Sequence, residues 1–279
     1  MIPTPDDPAS TLWRLLIDGP ARGSWNMAVD EALLEGAASP GFMPTLRLYA
    51  WDPACLSLGH AQPIVEVDKA QLAAFGWDVV RRPTGGRAIL HTDELTYSIT
   101  GSADSAIFQG GILTSYRHIS LALLEFLERF YLQPAMKDNP EVSVSHQESV
   151  CFEVPSNYEI TLANKKIIGS AQARRKNAVL QHGAIPLFGD IARITQVLTY
   201  PDAAARKRAA DRVRERATNL RLEIGQTVSW QQAASEFVKA FESIHNIKFI
   251  TSSLTPDELT LARRIEEEKF ADPSWTGRI

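Results

Sequence analysis

The sequence predicts an α+β fold, because strand-like stretches crowd its middle and helical ones take over towards its C-terminus. Three observations carry this. Thr45 to Ala50 alternates, with Leu46, Leu48 and Ala50 on one face and Arg47 and Tyr49 on the other, which is the period of a strand. Ser115 to Tyr131 instead gathers Ile119, Ala122, Leu123, Phe126, Leu127 and Phe130 on one helical face. After Pro201 the character turns helical, beginning with an Arg- and Ala-rich stretch over Ala203 to Ala217.

In chain order, Asn26 to Leu34 reads as a short helix behind Ser24, a suitable N-cap. Trp77 to Arg82 is a strand ended by Pro83 and the Gly85-Gly86 pair. Ala88 to Leu90 and Leu95 to Thr100 follow as strands. Asp138 to Ser149 is polar and without period, so a loop is expected there. Tyr158 to Leu162 and Lys166 to Ala173 form a hairpin turned at Ala163-Asn164. Val179 to Leu187 adds a strand with an irregularity at Gly183. Trp230, Ala233, Ala234, Phe237, Val238, Phe241 and Ile244 form an apolar stripe behind Ser229, and Gln232 completes a capping box. The last helix starts at Thr255-Pro256-Asp257-Glu258, where N-cap, first-turn proline and third-position glutamate are all in place.

The composition, 44% hydrophobic and 22% charged over 279 residues, is that of a globular chain able to bury a sizeable core. Twenty-nine basic residues against 33 acidic give a net charge of −4 and no global case for nucleic acid. The two cysteines, Cys55 and Cys151, make no disulfide framework, and the six histidines lack metal-ligand spacing. No signal pattern and no membrane-length apolar run are present, so the expectation is a cytoplasmic protein.

The most unusual stretch is Arg81-Arg82-Pro83-Thr84-Gly85-Gly86-Arg87-Ala88-Ile89-Leu90-His91. Paired glycines let backbone approach a ligand, and their N–H groups can face an anion or a carbonyl oxygen. A hairpin turn with solvated arginines is the plain alternative. Cys151 precedes Phe152 and Glu153; a small buried core residue is the ordinary reading of such a cysteine, and a nucleophile the sharper one. Cys55 sits in an apolar strand-like run and reads as core. Lys165 and Lys166 open a strand on opposite faces, so one of them must point inward, and an inward lysine needs a reason. For His91 and His182, core or hydrogen-bonding roles are expected.

Taken together, the Arg81–His91 run and Glu94-Leu95-Thr96-Tyr97-Ser98 resemble the signature of the biotin/lipoate protein ligase superfamily. Asn26-Met27-Ala28-Val29-Asp30-Glu31, the Ser57-x-Gly59-x-x-Gln62 run and Lys166-Ile167-Ile168-Gly169-Ser170-Ala171-Gln172 match at family-like places. The resemblance spans Trp13 to Phe249. It implies a mixed β-sheet core flanked by helices, with a catalytic domain over 26–250 and a helical C-terminal extension over 251–279. Lipoate–protein ligases of this superfamily typically carry three glycines where this chain has Gly85-Gly86-Arg87, and need no cysteine. Cys151 in Ser149-Val150-Cys151-Phe152, together with Gln181-His182-Gly183-Ala184-Ile185-Pro186-Leu187, is similar instead to the LipM-type octanoyltransferases.

That resemblance implies Cys151 as nucleophile with Lys166 as its partner, and Arg82, Thr84, Gly85, Gly86, Arg87, His91, Gly169, Ser170 and Ala171 as substrate-binding residues. It implies octanoyl-acyl carrier protein as donor and a lipoyl domain or the glycine cleavage H protein as acceptor. No cofactor, metal, nucleic acid or membrane is called for, and a monomer is expected. Arg81, Arg82, Arg174 and Arg175 are candidates for docking an acidic carrier. An amidotransferase between lipoyl proteins, an ATP-dependent lipoate ligase and a silent binder stay as alternatives.

Overall fold

The computed structural model describes residues 11–138, 150 and 158–279. In chain order, β1 (Thr11–Ile17) leads to α1 (Gly23–Gly36), β2 (Thr45–Tyr49), β3 (Cys55–Leu58), α2 (Lys69–Phe75), β4 (Asp78–Arg81), β5 (Ile89–His91), β6 (Glu94–Ser102), α3 (Gly111–Glu128) and β7 (Ala135–Asp138). Then come β8 (Tyr158–Leu162), β9 (Lys165–Arg175), β10 (Ala178–Pro186), α4 (Ala203–Arg216), α5 (Leu220–Ile224), α6 (Trp230–His245), β11 (Ile247–Thr251), α7 (Pro256–Ile265) and α8 (Pro273–Thr276). Among the described residues, eight strands form one mixed sheet in the order β11-β1-β2-β6-β10-β9-β8-β7. A smaller sheet, β4-β3-β5, stands beside it.

Strand alternation decides what covers each face of the large sheet. Leu46 and Leu48 of β2, Leu95, Tyr97 and Ile99 of β6, and Val179 and Ile185 of β10 point one way and pack under α3 and α6. Phe126, Phe237 and Phe241 fill that layer, with ring centroids of Phe237 and Phe241 4.8 Å apart. The opposite face lies under α1, where Met27, Val29 and Leu33 meet Leu16, Tyr49 and Trp51. Here the strands also present Arg47, Ser98 and His182, all buried. That polar layer positions the site.

Most expected elements form, and the departures have physical reasons. The Ala163-Asn164 turn has φ of 46° and 67°, as a two-residue hairpin of this twist requires. The β10 register runs without interruption through Gly183, which faces Tyr97 on one side and Ser170 on the other. Glycine is needed there for room: a Cβ would lie 2.7 Å from the Gly169 carbonyl, the Ser170 hydroxyl and the Tyr97 ring. Ser24 is not the N-cap of α1. The helix begins at Gly23, close against Cys55, and Ser24 Oγ donates to Glu266 at 2.6 Å. Asp138 closes a strand, β7, rather than opening a loop, because β8 pairs with it; residues 139–149 lie outside the described residues. Strands β1 and β11 were not legible locally and are held by their parallel pairing with each other.

Candidate active site

Asp30, fully buried on α1, is the centre of the polar layer. Its Oδ1 accepts from Arg47 Nη1 at 2.9 Å and Ser98 Oγ at 2.8 Å. Its Oδ2 accepts from Tyr49 Oη at 2.9 Å and faces His182 Nδ1 at 3.0 Å. Burial alone would raise the Asp30 pKa, but the His182 hydrogen bond and the Arg47 charge outweigh it and hold the carboxyl below its ordinary range. Burial also lowers the His182 pKa, against the pull of Asp30, so the ring is neutral near pH 7. A carboxylate can only accept, so Nδ1 carries the proton and donates to Asp30. The free lone pair of Nε2 then accepts from the Thr84 hydroxyl at 2.7 Å.

Thr84 begins the glycine turn. Arg82 braces that turn from below, donating to Ser57 O at 3.0 Å, Gly85 O at 2.8 Å and Arg87 O at 2.8 Å. Gly86 has φ of 92°, a conformation that favours glycine. Gly59 lies directly against it, since a Cβ at residue 59 would come within 1.9 Å of the Gly86 carbonyl oxygen. The Gly85 and Gly86 N–H groups make no hydrogen bond among the described residues. Between this turn and β9 and β10 lies a cavity of about 40 Å³, lined by Arg82, Gly86, Ile89, Gly169, Ser170, Ala171, His182 and Gly183.

The structure therefore brings together five of the expected residues, Arg82, Gly86, Gly169, Ser170 and Ala171, from two distant stretches of sequence. Thr84 is buried one hydrogen bond away. Gly85 is exposed and Arg87 half-buried at the turn. His91 lies deeper: its ring nitrogens meet Ser57 Oγ at 2.7 Å and Glu94 Oε1 at 2.5 Å, and it stacks on Trp51 at 4.0 Å. Lys166 is the inward lysine of its pair, buried and ion-paired with Glu159 Oε1 at 3.0 Å. Cys151 lies outside the described residues; its neighbour Val150 is buried and bridges Ala88, two residues past Gly86.

The docking arginines need correction. Arg81 and Arg82 are buried, and Arg174 is occupied by Phe108 O, Gly111 O and Ser115 Oγ at 2.8–2.9 Å. Arg175, alone of the four, is exposed, and it is paired with Glu31 at 2.9 Å. Sequence reasoning gave no role to Arg47 or Glu159, and met Asp30 and Ser98 only within the family-like runs 26–31 and 94–98. Asp30 left a trace, as an acid inside the apolar run Met27-Ala28-Val29 to Ala32-Leu33-Leu34. Among the described residues no group of three His, Cys, Asp or Glu side chains is placed to hold a metal.

Residues 22–242 match the lipoyl protein ligase A/B catalytic domain. The chain belongs to this family. Within it, octanoyltransferase LipM of Brevibacillus brevis is 35% identical over 95% of this chain and 99% of its own length. Octanoyltransferase LipM of Carboxydothermus hydrogenoformans is 36% identical over 96% and 99%, and that of Bacillus subtilis 34% identical over 94% and 97%. Among solved structures, a bipartite lipoate protein ligase of Thermoplasma acidophilum superposes with a TM-score of 0.81 at 26% identity, covering 96% of this chain and 98% of that one. A lipoate protein ligase of the same organism, solved with bound lipoic acid, gives 0.80 at 26% identity over 96% and 100%. The lipoyl ligase family fold thus covers nearly the whole chain, and no described helix is long and apolar enough to cross a membrane.

Proposed function

We propose that the chain transfers an octanoyl group from octanoyl-acyl carrier protein to a specific lysine of a lipoyl domain or the glycine cleavage H protein, through a thioester on Cys151. The observation that carries this reading is the near end-to-end match to octanoyltransferases LipM, with Cys151 and Lys166 present in the sequence. The catalytic unit is residues 26–250, and 251–279 support it.

The chemistry needs no outside energy source. The Cys151 thiolate attacks the thioester carbonyl, the carrier thiol leaves with a proton, and one thioester replaces another. The ε-amine of the acceptor lysine then attacks the Cys151 acyl group, the C–S bond breaks, and the proton lost by the amine passes to the Cys151 sulfur, giving an amide and a free Cys151 thiol. A free cysteine has a pKa of about 8.5, and an adjacent ammonium favours the thiolate. Lys166 is the candidate for that ammonium, and once neutral for the base that takes the acceptor's proton. Glu159, 3.0 Å from Lys166 Nζ, holds it in place. The Gly85 and Gly86 N–H groups, which make no hydrogen bond among the described residues, are suited to the oxyanion of the tetrahedral intermediate. The neutral His182, fixed by Asp30, keeps Thr84 and thereby the turn in register with β10.

The test is a transfer assay with octanoyl-acyl carrier protein and an apo lipoyl domain, run with and without ATP. The expected product is an octanoylated lipoyl domain at the same rate in both. Transfer only from octanoate plus ATP would replace this reading with a ligase. Transfer only from an octanoylated lipoyl protein would replace it with an amidotransferase.

A further inference from the structure

Arg81 is fully buried, yet among the described residues it meets no carboxylate. Its guanidinium is spent on backbone carbonyls. Nη1 donates to Gly59 O at 2.9 Å, His60 O at 3.2 Å and Gln62 O at 2.6 Å, while Nε and Nη2 donate to Thr276 O at 3.1 and 2.7 Å. Only a planar fork with five donors serves four carbonyls at once. Burying a charge on dipoles alone is costly, so the arrangement asks for a purpose.

The contacts on either side of Arg81 supply one. On the far side, Trp275 Nε1 donates to Arg81 O at 2.8 Å, and the Arg278 guanidinium lies 3.8 Å from the Trp275 ring and donates to His60 O at 3.0 Å. On the near side, His60 N donates to Thr84 O at 2.9 Å, and Gly59 lies against the Gly86 carbonyl. The connection runs from Trp275-Thr276, through Arg81, to the Gly59–Gln62 loop, and from that loop to the Thr84–Gly86 turn.

We propose that Arg81, closed by Trp275 and Thr276, is a positioning residue that sets the Thr84–Gly86 turn against Gly169–Ala171 and so shapes the acyl cavity. The functional half of this inference rests on the octanoyl-transfer reading; the mechanical half does not. Arg81 touches no reacting atom. Its substitution therefore alters how well the acyl donor is held more than how fast the held donor reacts.

The experiment is hydrogen exchange on the full chain, comparing wild type with Trp275→Ala and, as a second variant that leaves the C-terminal segment intact, Arg81→Lys. The His60 and Gln62 amides and the peptide over 82–88 are expected to exchange at least ~10-fold faster in both variants, with β6 and β10 protection unchanged. Unchanged protection over 59–62 and 82–88 would overturn the proposal. So would an equal loss of protection in β6 and β10, because Arg81 would then be ordinary core support. In octanoyl loading, the donor concentration for half-saturation is expected to rise ~10-fold while the limiting rate stays within about threefold. A fall in limiting rate alone contradicts the positioning role. Absence of loading in the wild type would count against octanoyl transfer, and the exchange result would still decide the role of Arg81.

Discussion

The two faces of the large sheet are built from the same strands by opposite chemistry. Under α3 and α6 the facing residues are mostly apolar, with Gln181 the exception in β10, and Leu46, Tyr97, Ile99 and Val179 meet Phe126, Phe237 and Phe241. Under α1 the intervening residues include Arg47, Ser98 and His182, gathered on Asp30. The apolar face depends on filled volume and tolerates small losses of methyl groups. The polar face depends on every partner being present, because a buried charge left alone costs far more than the pair contributes. The glycine turn is attached to the polar face through Thr84 and His182; hydrogen bonds fix an orientation, whereas packing fixes mainly a distance.

The sharpest way to break this comparison is Asp30→Ala. It removes the acceptor of four donors and leaves the buried Arg47 with Asp18 as its remaining carboxylate, so urea denaturation is expected to show a loss of about 3–5 kcal/mol. Next is Thr84→Val, which keeps the shape but leaves His182 Nε2 without its donor; about 1–3 kcal/mol is expected, with weakened octanoyl loading in the folded variant. On the apolar face Ile99→Val is expected to cost only about 0.5–1.5 kcal/mol and to leave loading unchanged. A cost for Asp30→Ala no larger than that for Ile99→Val would remove the distinction between the faces.

A pH dependence sits at the edge of the apolar face. His245 is pushed down to about 4 by burial and by the neighbouring His118, and its Nε2 has no partner among the described residues. In the unfolded chain a histidine titrates near 6.5. Between those values the unfolded state takes up a proton that the folded state refuses, so stability falls as pH drops from about 6.5 towards 4. Thermal melts of His245→Asn are expected to fall less steeply than wild type over pH 6.5 to 5. Parallel curves would assign the acid sensitivity to other groups, His182 among them.

The apolar face was legible in the sequence because its signal is local: the Ser115–Tyr131 and Trp230–Ile244 stripes and the alternation of β2 each lie within one element. Likewise the Ala163-Asn164 hairpin and the Thr255 capping box are settled by a few neighbouring residues. The glycine turn and the Lys166-to-Ala171 run stood out individually, and the structure lines one cavity with Arg82 and Gly86 from the first and Gly169, Ser170 and Ala171 from the second. Of the polar face only the hydrogen-bonding His182 was legible, since Arg47 and Tyr49 look like a solvated strand face until α1 is known to cover them. Arg81 shows the same limit. An arginine beside a glycine turn suggests a partner's acid, and only the long-range contact with Thr276 shows that its donors are already taken.

The central claim is a covalent octanoyl enzyme at Cys151. The measurement that tests it most directly is intact-mass spectrometry of the purified chain after incubation with octanoyl-acyl carrier protein, without acceptor and without ATP. The account predicts a gain of one octanoyl group, mapped to Cys151, released by hydroxylamine and absent from Cys151→Ala. An unmodified wild-type chain that nevertheless octanoylates a lipoyl domain from the same donor would contradict it.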